Sequence, residues 1–230
     1  MKGHGLSSLR KKASYIDRAL TRIYGRHEVN YEDNPVDTLV ETILSQNTTD
    51  KNSHRAFRAL KAAYPRWEDL EGADPRRVAS IIRSGGLADM KARRIIDALR
   101  VIEAERGRLD LEFLRGMTPA QAESWLARIK GVGPKTRSIV LLFALRMPAF
   151  PVDTHIHRVT RRLGLIGLKT NRERAQEELA LLVNEREYYN FHINLIEHGR
   201  AVCQARKPKC GQCGISSSCD FFAQSIKART

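Results

Sequence analysis

The sequence predicts an all-α fold. Apolar residues recur at helical spacing in one stretch after another, and no run alternates as a half-buried strand does. Three times a capping side chain stands directly before a proline suited to a first helical turn: Asn34-Pro35, Asp74-Pro75 and Thr118-Pro119. The stretches between these helices are short enough to be turns.

Taken in order, Leu9 to about Arg26 is a basic amphipathic helix with Leu9, Ile16, Leu20 and Ile23 on its apolar side. A loop at His27 to Glu32 leads to Asn34-Pro35-Val36-Asp37, which opens a helix carrying Leu39, Val40, Ile43 and Leu44. The polar cluster Leu44-Ser45-Gln46-Asn47-Thr48-Thr49-Asp50 breaks it, and Thr49 or Asp50 caps a basic helix from Lys51 to Tyr64. A short packed segment at Trp67 to Leu70, a helix from Asp74-Pro75 to about Arg83 and a turn at Ser84-Gly85-Gly86-Leu87 follow. Ala88 to Glu105 is again helix. Past residue 153, helices are expected at Thr154 to Leu163, Arg172 to Val183 and Glu187 to His198, with Gly199 ending the last.

Between these lies Leu126 to Val159, the stretch richest in chemical potential. Thr118-Pro119-Ala120-Gln121 has the composition of a capping box. Ala122, Trp125, Leu126 and Ile129 then keep helical spacing up to Gly131, which is expected to stop that helix. Pro134 starts the next, expected to run to Leu145 and to be buried, because Ile139 to Leu145 is apolar on nearly every side. The result is helix, Gly131-Val132-Gly133, helix. Glycines let backbone approach a ligand closely, and unpaired N–H groups at a helix start suit phosphate. An ordinary helical hairpin has the same glycines for its turn alone.

Lys135 falls in the first turn of that second helix, where the dipole disfavours a cation. That field, with the partial burial expected there, would lower its pKa from about 10.4. A neutral amine suits Schiff-base chemistry; a charged one contacts phosphate. Asp153, 18 residues on in Pro151-Val152-Asp153-Thr154-His155, is placed to cap the helix bearing Ile156, Val159 and Leu163. A carboxylate there could also stabilise a sugar cation across a pocket from Lys135. His155 and His157 are read as structural.

The stretches LARIKGVGPKTRSIVLLFAL and VDTHIHRV resemble the helix-hairpin-helix and Gly/Pro-Asp motif of the endonuclease III family of DNA glycosylases. The resemblance implies that Lys135 is the nucleophile toward the sugar, that Asp153 assists it, and that Gly131 and Gly133 face the DNA. It also makes Leu44 to Asp50 the segment whose amide fills the gap left by a flipped-out base. Asn47 stands at the amide position, where the family more usually has glutamine, and Gln46 is its neighbour. Leu87 falls where the family presents an apolar wedge, a residue type that offsets the unstacking cost of a kinked duplex. The same leucine could instead anchor the turn into the core.

Four cysteines, Cys203, Cys210, Cys213 and Cys219, occur in the spacing C-x6-C-x2-C-x5-C. Two disulfides, a zinc site or an iron–sulfur centre are all arithmetically open, with a single C-x2-C pair less usual for zinc. The resemblance selects a 4Fe–4S cluster. Arg206, Lys207 and Lys209 lie within this loop and give it the composition of a phosphate clamp.

Lys and Arg total 40 against 26 Asp and Glu, a formal charge of +14, which suits a polyanionic partner. No run approaches the roughly 18 apolar residues of a membrane span. Met1 to Ser8 lacks the apolar run of a signal peptide, so a cytoplasmic, nucleoid-associated or nuclear location is expected. By resemblance the chain forms two helical lobes, 29–147 with the hairpin, and 1–28 with 148–230 around the cluster. DNA would lie in the cleft between them. The implied activity is a bifunctional glycosylase with AP-lyase activity, acting as a monomer on duplex DNA that carries an oxidised pyrimidine or an abasic site. Two alternatives stay in view. One is a monofunctional adenine-mismatch enzyme, which would use an acid near Glu41 but lacks a lysine at the position of Lys135. The other is a non-catalytic helix-hairpin-helix module.

Overall fold

The computed structural model describes residues 3–28, 34–70 and 72–227. Among these residues the secondary structure is helical throughout, with no strand. Part of the expected loop at 27–32 lies outside the described residues. The chain divides into two compact units, Asn30–Met147 and Met1–Val29 with Pro148–Thr230.

Helix α1 (Gly3–Tyr24) opens the chain, six residues ahead of the expected start at Leu9. Ala13, Ile16, Ala19 and Leu20 form its buried side. Ile23, expected on that side, is 49% exposed. It does not point into the helical core; its side chain lies over Gly214, where an added Cβ would come within 2.9 Å of Ile23 Cδ1.

The Asn30–Met147 unit is built around α2 (Pro35–Ser45), whose Val36, Leu39, Val40, Ile43 and Leu44 are fully buried. Asn34 Oδ1 accepts from the N–H groups of Val36 and Asp37, the cap expected from the sequence. Thr49 rather than Asp50 caps α3 (Asp50–Ala63). Trp67 packs beside it and donates Nε1–H to Asp37 Oδ1 at 2.6 Å. Helix α4 (Pro75–Ile81) and α5 (Ala88–Arg106) follow, joined by the Gly85-Gly86-Leu87 turn and packed on each other, α4 also against α3 and α5 against α2.

The hairpin departs from expectation at both helices. Helix α6 (Pro119–Leu126) starts with the predicted capping box, Thr118 and Gln121 bonding reciprocally. It ends at Leu126, well before Gly131, and Ile129 and Val132 close two successive turns onto Leu126 O and Ile129 O. Ile129 is still buried, so the apolar spacing reported burial correctly while overstating the helix. Helix α7 (Pro134–Ile139) gives way to a π-helical segment, Val140–Ala144, in place of a helix continuing to Leu145. Leu145 N–H reaches back to Val140 O, and Met147 N–H to Leu141 O. With Val140, Leu141, Leu142 and Ala144 all buried, side-chain packing sets this register and the widened turn accommodates it.

The other unit holds α1, α8 (Thr154–Leu163), α9 (Arg172–Leu182), α10 (Tyr188–Ala201) and α11 (Asp220–Lys227). Ile156, Val159 and Leu163 of α8 face Phe191 and Leu195 of α10, with Ile16 and Leu20 of α1 against α10. Gly199 does not end α10. A Cβ at that position would meet His155 Cβ at 3.0 Å, so Gly199 lets α10 and α8 approach closely. Helix α11 was not anticipated from the sequence.

Candidate functional site

In the Asn30–Met147 unit, Gly131 has φ +85°, the left-handed region that favours glycine, and an added Cβ would lie 3.1 Å from Arg94 Cδ and Nε. Gly133 is extended, with φ −76° and ψ 173°, and its missing Cβ faces open space. The two glycines therefore do different things. Gly131 makes the turn under the Arg94 side chain, while Gly133 leaves the backbone uncovered at the start of α7. Pro134 at the first position removes one N–H that would have gone unpaired, and the remaining first-turn N–H groups lie beside Lys135.

Lys135 is exposed, not partly buried as expected. Thr136 and Ser138 are the buried residues of α7, and position 135 between Pro134 and Thr136 is exposed.

Gln46, Asn47 and Leu87 belong to the same unit. Gln46 Oε1 accepts from Arg94 Nη1 at 2.8 Å, so the arginine that covers Gly131 also holds the amide loop. Asn47 is exposed in a left-handed conformation, φ 53°. Leu87 is also left-handed, φ 49°, and 53% exposed. A leucine in that region is strained and an exposed one anchors nothing, so the core-anchor reading of Leu87 falls away. Glu41, on α2, is paired with His54 Nδ1 of α3 at 2.6 Å.

In the second unit Asp153 is half-buried and caps α8, Oδ1 accepting from Ile156 N at 2.7 Å. That bond uses one carboxylate oxygen. Four residues on, His157 Nε2 meets Thr170 O at 2.7 Å. His155 Nδ1 accepts from Arg158 Nη2 at 3.1 Å, and the same arginine donates to Gly199 O and Cys203 O. Both histidines thus hold structure, as expected, and Arg158 ties α8 to the cysteine loop.

Cys203, Cys210, Cys213 and Cys219 line one recess, walled by Val159, Leu163, Ile215 and Phe222. All four are half-buried, and none is joined in a disulfide. Burial foremost, and then the neighbouring cysteines, push the Cys213 thiol above its ordinary value; burial does the same at Cys219. Thiolates in this recess therefore need a cationic partner, which the irons of a cluster supply. Donors are already aimed at sulfur. Arg162 Nη1 lies 3.3 Å from Cys203 Sγ and His198 Nε2 3.6 Å from Cys213 Sγ. Burial pulls His198 down to about 4, and Tyr24 Oη stands 3.0 Å from its Nδ1. With Tyr24 donating, the neutral ring keeps its proton on Nε2, toward the sulfur. Apolar walls, four thiols and outer N–H donors fit an iron–sulfur cluster. Arg206, Lys207 and Lys209 all project outward from this loop, Lys207 with φ 50°.

One buried group was missed. Lys91 of α5 is 0% exposed. Its place on the stripe Lys91, Ile95, Ala98, Ile102 marked it as core-facing, a signal present in the sequence.

Residues 40–185 match the family model described as the HhH-GPD superfamily base excision DNA repair protein, and residues 203–219 the iron-sulfur binding domain of endonuclease III. A putative DNA glycosylase of Arabidopsis thaliana is 39% identical over 76% of this chain, which spans 60% of that relative's length. Endonuclease III of Thermotoga maritima is 32% identical over 90% of this chain and 93% of its own. Among solved structures, a trapped endonuclease III–DNA covalent intermediate, an estranged-adenine complex, superposes with a TM-score of 0.79 at 25% identity, covering 94% of this chain and 98% of that one.

Proposed function

Because this chain belongs to the HhH-GPD superfamily of base excision DNA repair proteins, with an endonuclease III-type iron–sulfur loop, we propose that it is a DNA glycosylase with AP-lyase activity on oxidised pyrimidines in duplex DNA. The observation that carries this reading is Lys135, an exposed amine in the first turn of α7 directly after the Gly131–Gly133 backbone. A solved relative captured as a covalent DNA intermediate supports an amine nucleophile of this kind.

The phosphate backbone is held by the hairpin N–H groups and by the basic surface. The damaged nucleotide is rotated out of the stack at a cost of a few kcal/mol, less where the lesion has already weakened pairing. Lys135, as the free amine, forms a bond to C1′ as the glycosidic C1′–N bond breaks, and the base departs with the electron pair. The Asp153 carboxylate, as the family resemblance implies, stabilises the positive charge developing on the sugar, and the proton lost by the amine passes to solvent. Ring opening gives the Schiff base. Loss of a C2′ proton then expels the 3′-phosphate by β-elimination, and hydrolysis frees the lysine. The cluster loop holds its unit together and presents Arg206, Lys207 and Lys209 to phosphate. Glu41, the residue nearest the acid of the monofunctional reading, is paired with His54.

Borohydride trapping on a duplex with one thymine glycol tests this. A covalent protein–DNA adduct is expected with the unaltered protein and none with Lys135→Gln. Base release without an adduct, seen as strand breaks only after alkali, would replace the bifunctional reading with the monofunctional one.

A further inference from the structure

Lys91 is fully buried, and among the described residues no carboxylate pairs with its ammonium group. Two backbone carbonyls take it instead, Leu44 O at 2.6 Å and Gly85 O at 2.8 Å. Burial pushes its pKa down, and the two carbonyl dipoles aimed at the nitrogen offset part of the cost of burying it.

The location of the two carbonyls is what distinguishes this lysine. Leu44 lies at the end of α2, and three residues later Asn47 is left-handed and exposed. Gly85 ends the turn before α5, and two residues later Leu87 is left-handed and exposed. Four non-glycine residues among those described have positive φ, and two of them flank the two acceptors of one ammonium. The two backbones also touch: a Cβ on Gly85 would lie 3.8 Å from Leu44 O and 3.3 Å from Ala56 Cβ. Lys91 N–H closes onto Leu87 O at 3.0 Å, so the same residue holds the leucine turn from both its backbone and its side chain. Strained conformations at exposed tips persist only where the surrounding structure over-determines them.

We propose that Lys91 is a positioning residue that locks the Gln46–Asn47 loop and the Gly86–Leu87 turn into one rigid pair, so that both enter the duplex together at an extrahelical nucleotide. The proposal rests on the glycosylase reading for its purpose but not for its mechanics. Arg94 makes a separate tie, bonding Gln46 of the amide loop and lying over Gly131.

The test compares Lys91→Met with Arg94→Met in the intact, cluster-loaded protein by amide hydrogen exchange. In Lys91→Met, exchange at residues 45–48 and 85–88 is expected to rise together by about tenfold or more, with the α2 and α5 interiors unchanged. In Arg94→Met only the 45–48 segment of the two should respond. A rise in one segment alone for Lys91→Met, or no rise, overturns the lock. If the methionine variant does not fold, Lys91→Gln, which keeps two N–H donors without the charge, carries the same comparison against the unaltered protein. The functional arm measures cleavage at an abasic site. Lys91→Met should lose about tenfold in kcat/KM on duplex, where the loops must part the strands, and stay within about twofold on a single-stranded oligonucleotide. Equal losses on both substrates would reduce Lys91 to a stability residue. If the unaltered protein cleaves neither substrate, the glycosylase–lyase reading fails and the exchange pattern alone decides the lock.

Discussion

Asp153 has two jobs in this account, and a single substitution separates them. Asparagine caps a helix about as well as aspartate, so Asp153→Asn should keep the bond to Ile156 N–H and leave thermal stability nearly unchanged. It removes the negative charge, however, and single-turnover base release is expected to fall by about 100-fold or more, in the range found for lost charge stabilisation at a transition state. An unaltered rate would leave Asp153 as a cap only. Asp17 makes the opposite case, a carboxyl with no part in the chemistry. It is 8% exposed on α1, accepts a 3.3 Å bond from Asn190, and is raised to about 6, by burial first and then by Glu187. A raised carboxyl binds its proton more tightly folded than unfolded. Its cost to stability is therefore absent below about pH 4, grows between about pH 4 and 6, and is complete above that. Asp17→Asn should stabilise the protein at pH 7.5 by on the order of 2 kcal/mol and by almost nothing at pH 4, read from urea unfolding at the two pH values. A gain equal at both would mean that charge burial is not the cause.

At the scale of elements, the hairpin shows how far local signals reach. Thr118-Pro119-Ala120-Gln121 and Asn34-Pro35 were legible because a cap is a contact among neighbours, and the structure places those bonds where the residues predict. The π-segment was not legible. Ile139 to Leu145 is apolar on all sides, so it has no polar face from which to read a register, and the packing of Val140–Ala144 chooses one. The end of α6 was misplaced for a related reason: Ile129 is buried from a turn as readily as from a helix. Lys91 could have been seen, since it occupies an apolar stripe, but nothing in sequence reveals that its partners are the carbonyls of Gly85 in the turn before α5 and of Leu44 at the end of α2. The differing backbones of Gly131 and Gly133 were likewise hidden, and they predict different variants. Gly131→Ala must hold a left-handed alanine beneath Arg94 and should cost about 1–2 kcal/mol of stability. Gly133→Ala meets no neighbour, so its stability should be unaffected while affinity for undamaged duplex falls, because the methyl stands where phosphate would approach. Calorimetry and fluorescence anisotropy on the pair check this; equal stability losses would return both glycines to turn-making.

For the whole molecule, a discontinuous unit of residues 1–28 with 148–230 was expected only through resemblance, because contacts 170 or so positions apart leave no trace in local pattern; the structure draws that unit as Met1–Val29 with Pro148–Thr230. Charge is the property of the whole that the sequence states outright, +14, and its consequence is a salt dependence. Each phosphate neutralised contributes about 0.9 to the slope of log K against log salt. Arg206, Lys207 and Lys209 are all exposed on a loop fixed at both ends by cysteines. If all three meet phosphate, replacing them together by glutamine should lower the slope by nearly three and weaken damaged and undamaged duplex alike, since phosphate contacts carry no base information. The ratio of the two affinities, set by the hairpin unit and the loops it holds, should be preserved. Anisotropy titrations at several salt concentrations measure both quantities. An unchanged slope would mean that the charges of the cysteine loop face away from DNA, and the phosphate contacts would then have to be sought among the other exposed cations, such as Arg93 and Lys130 beside Gly131.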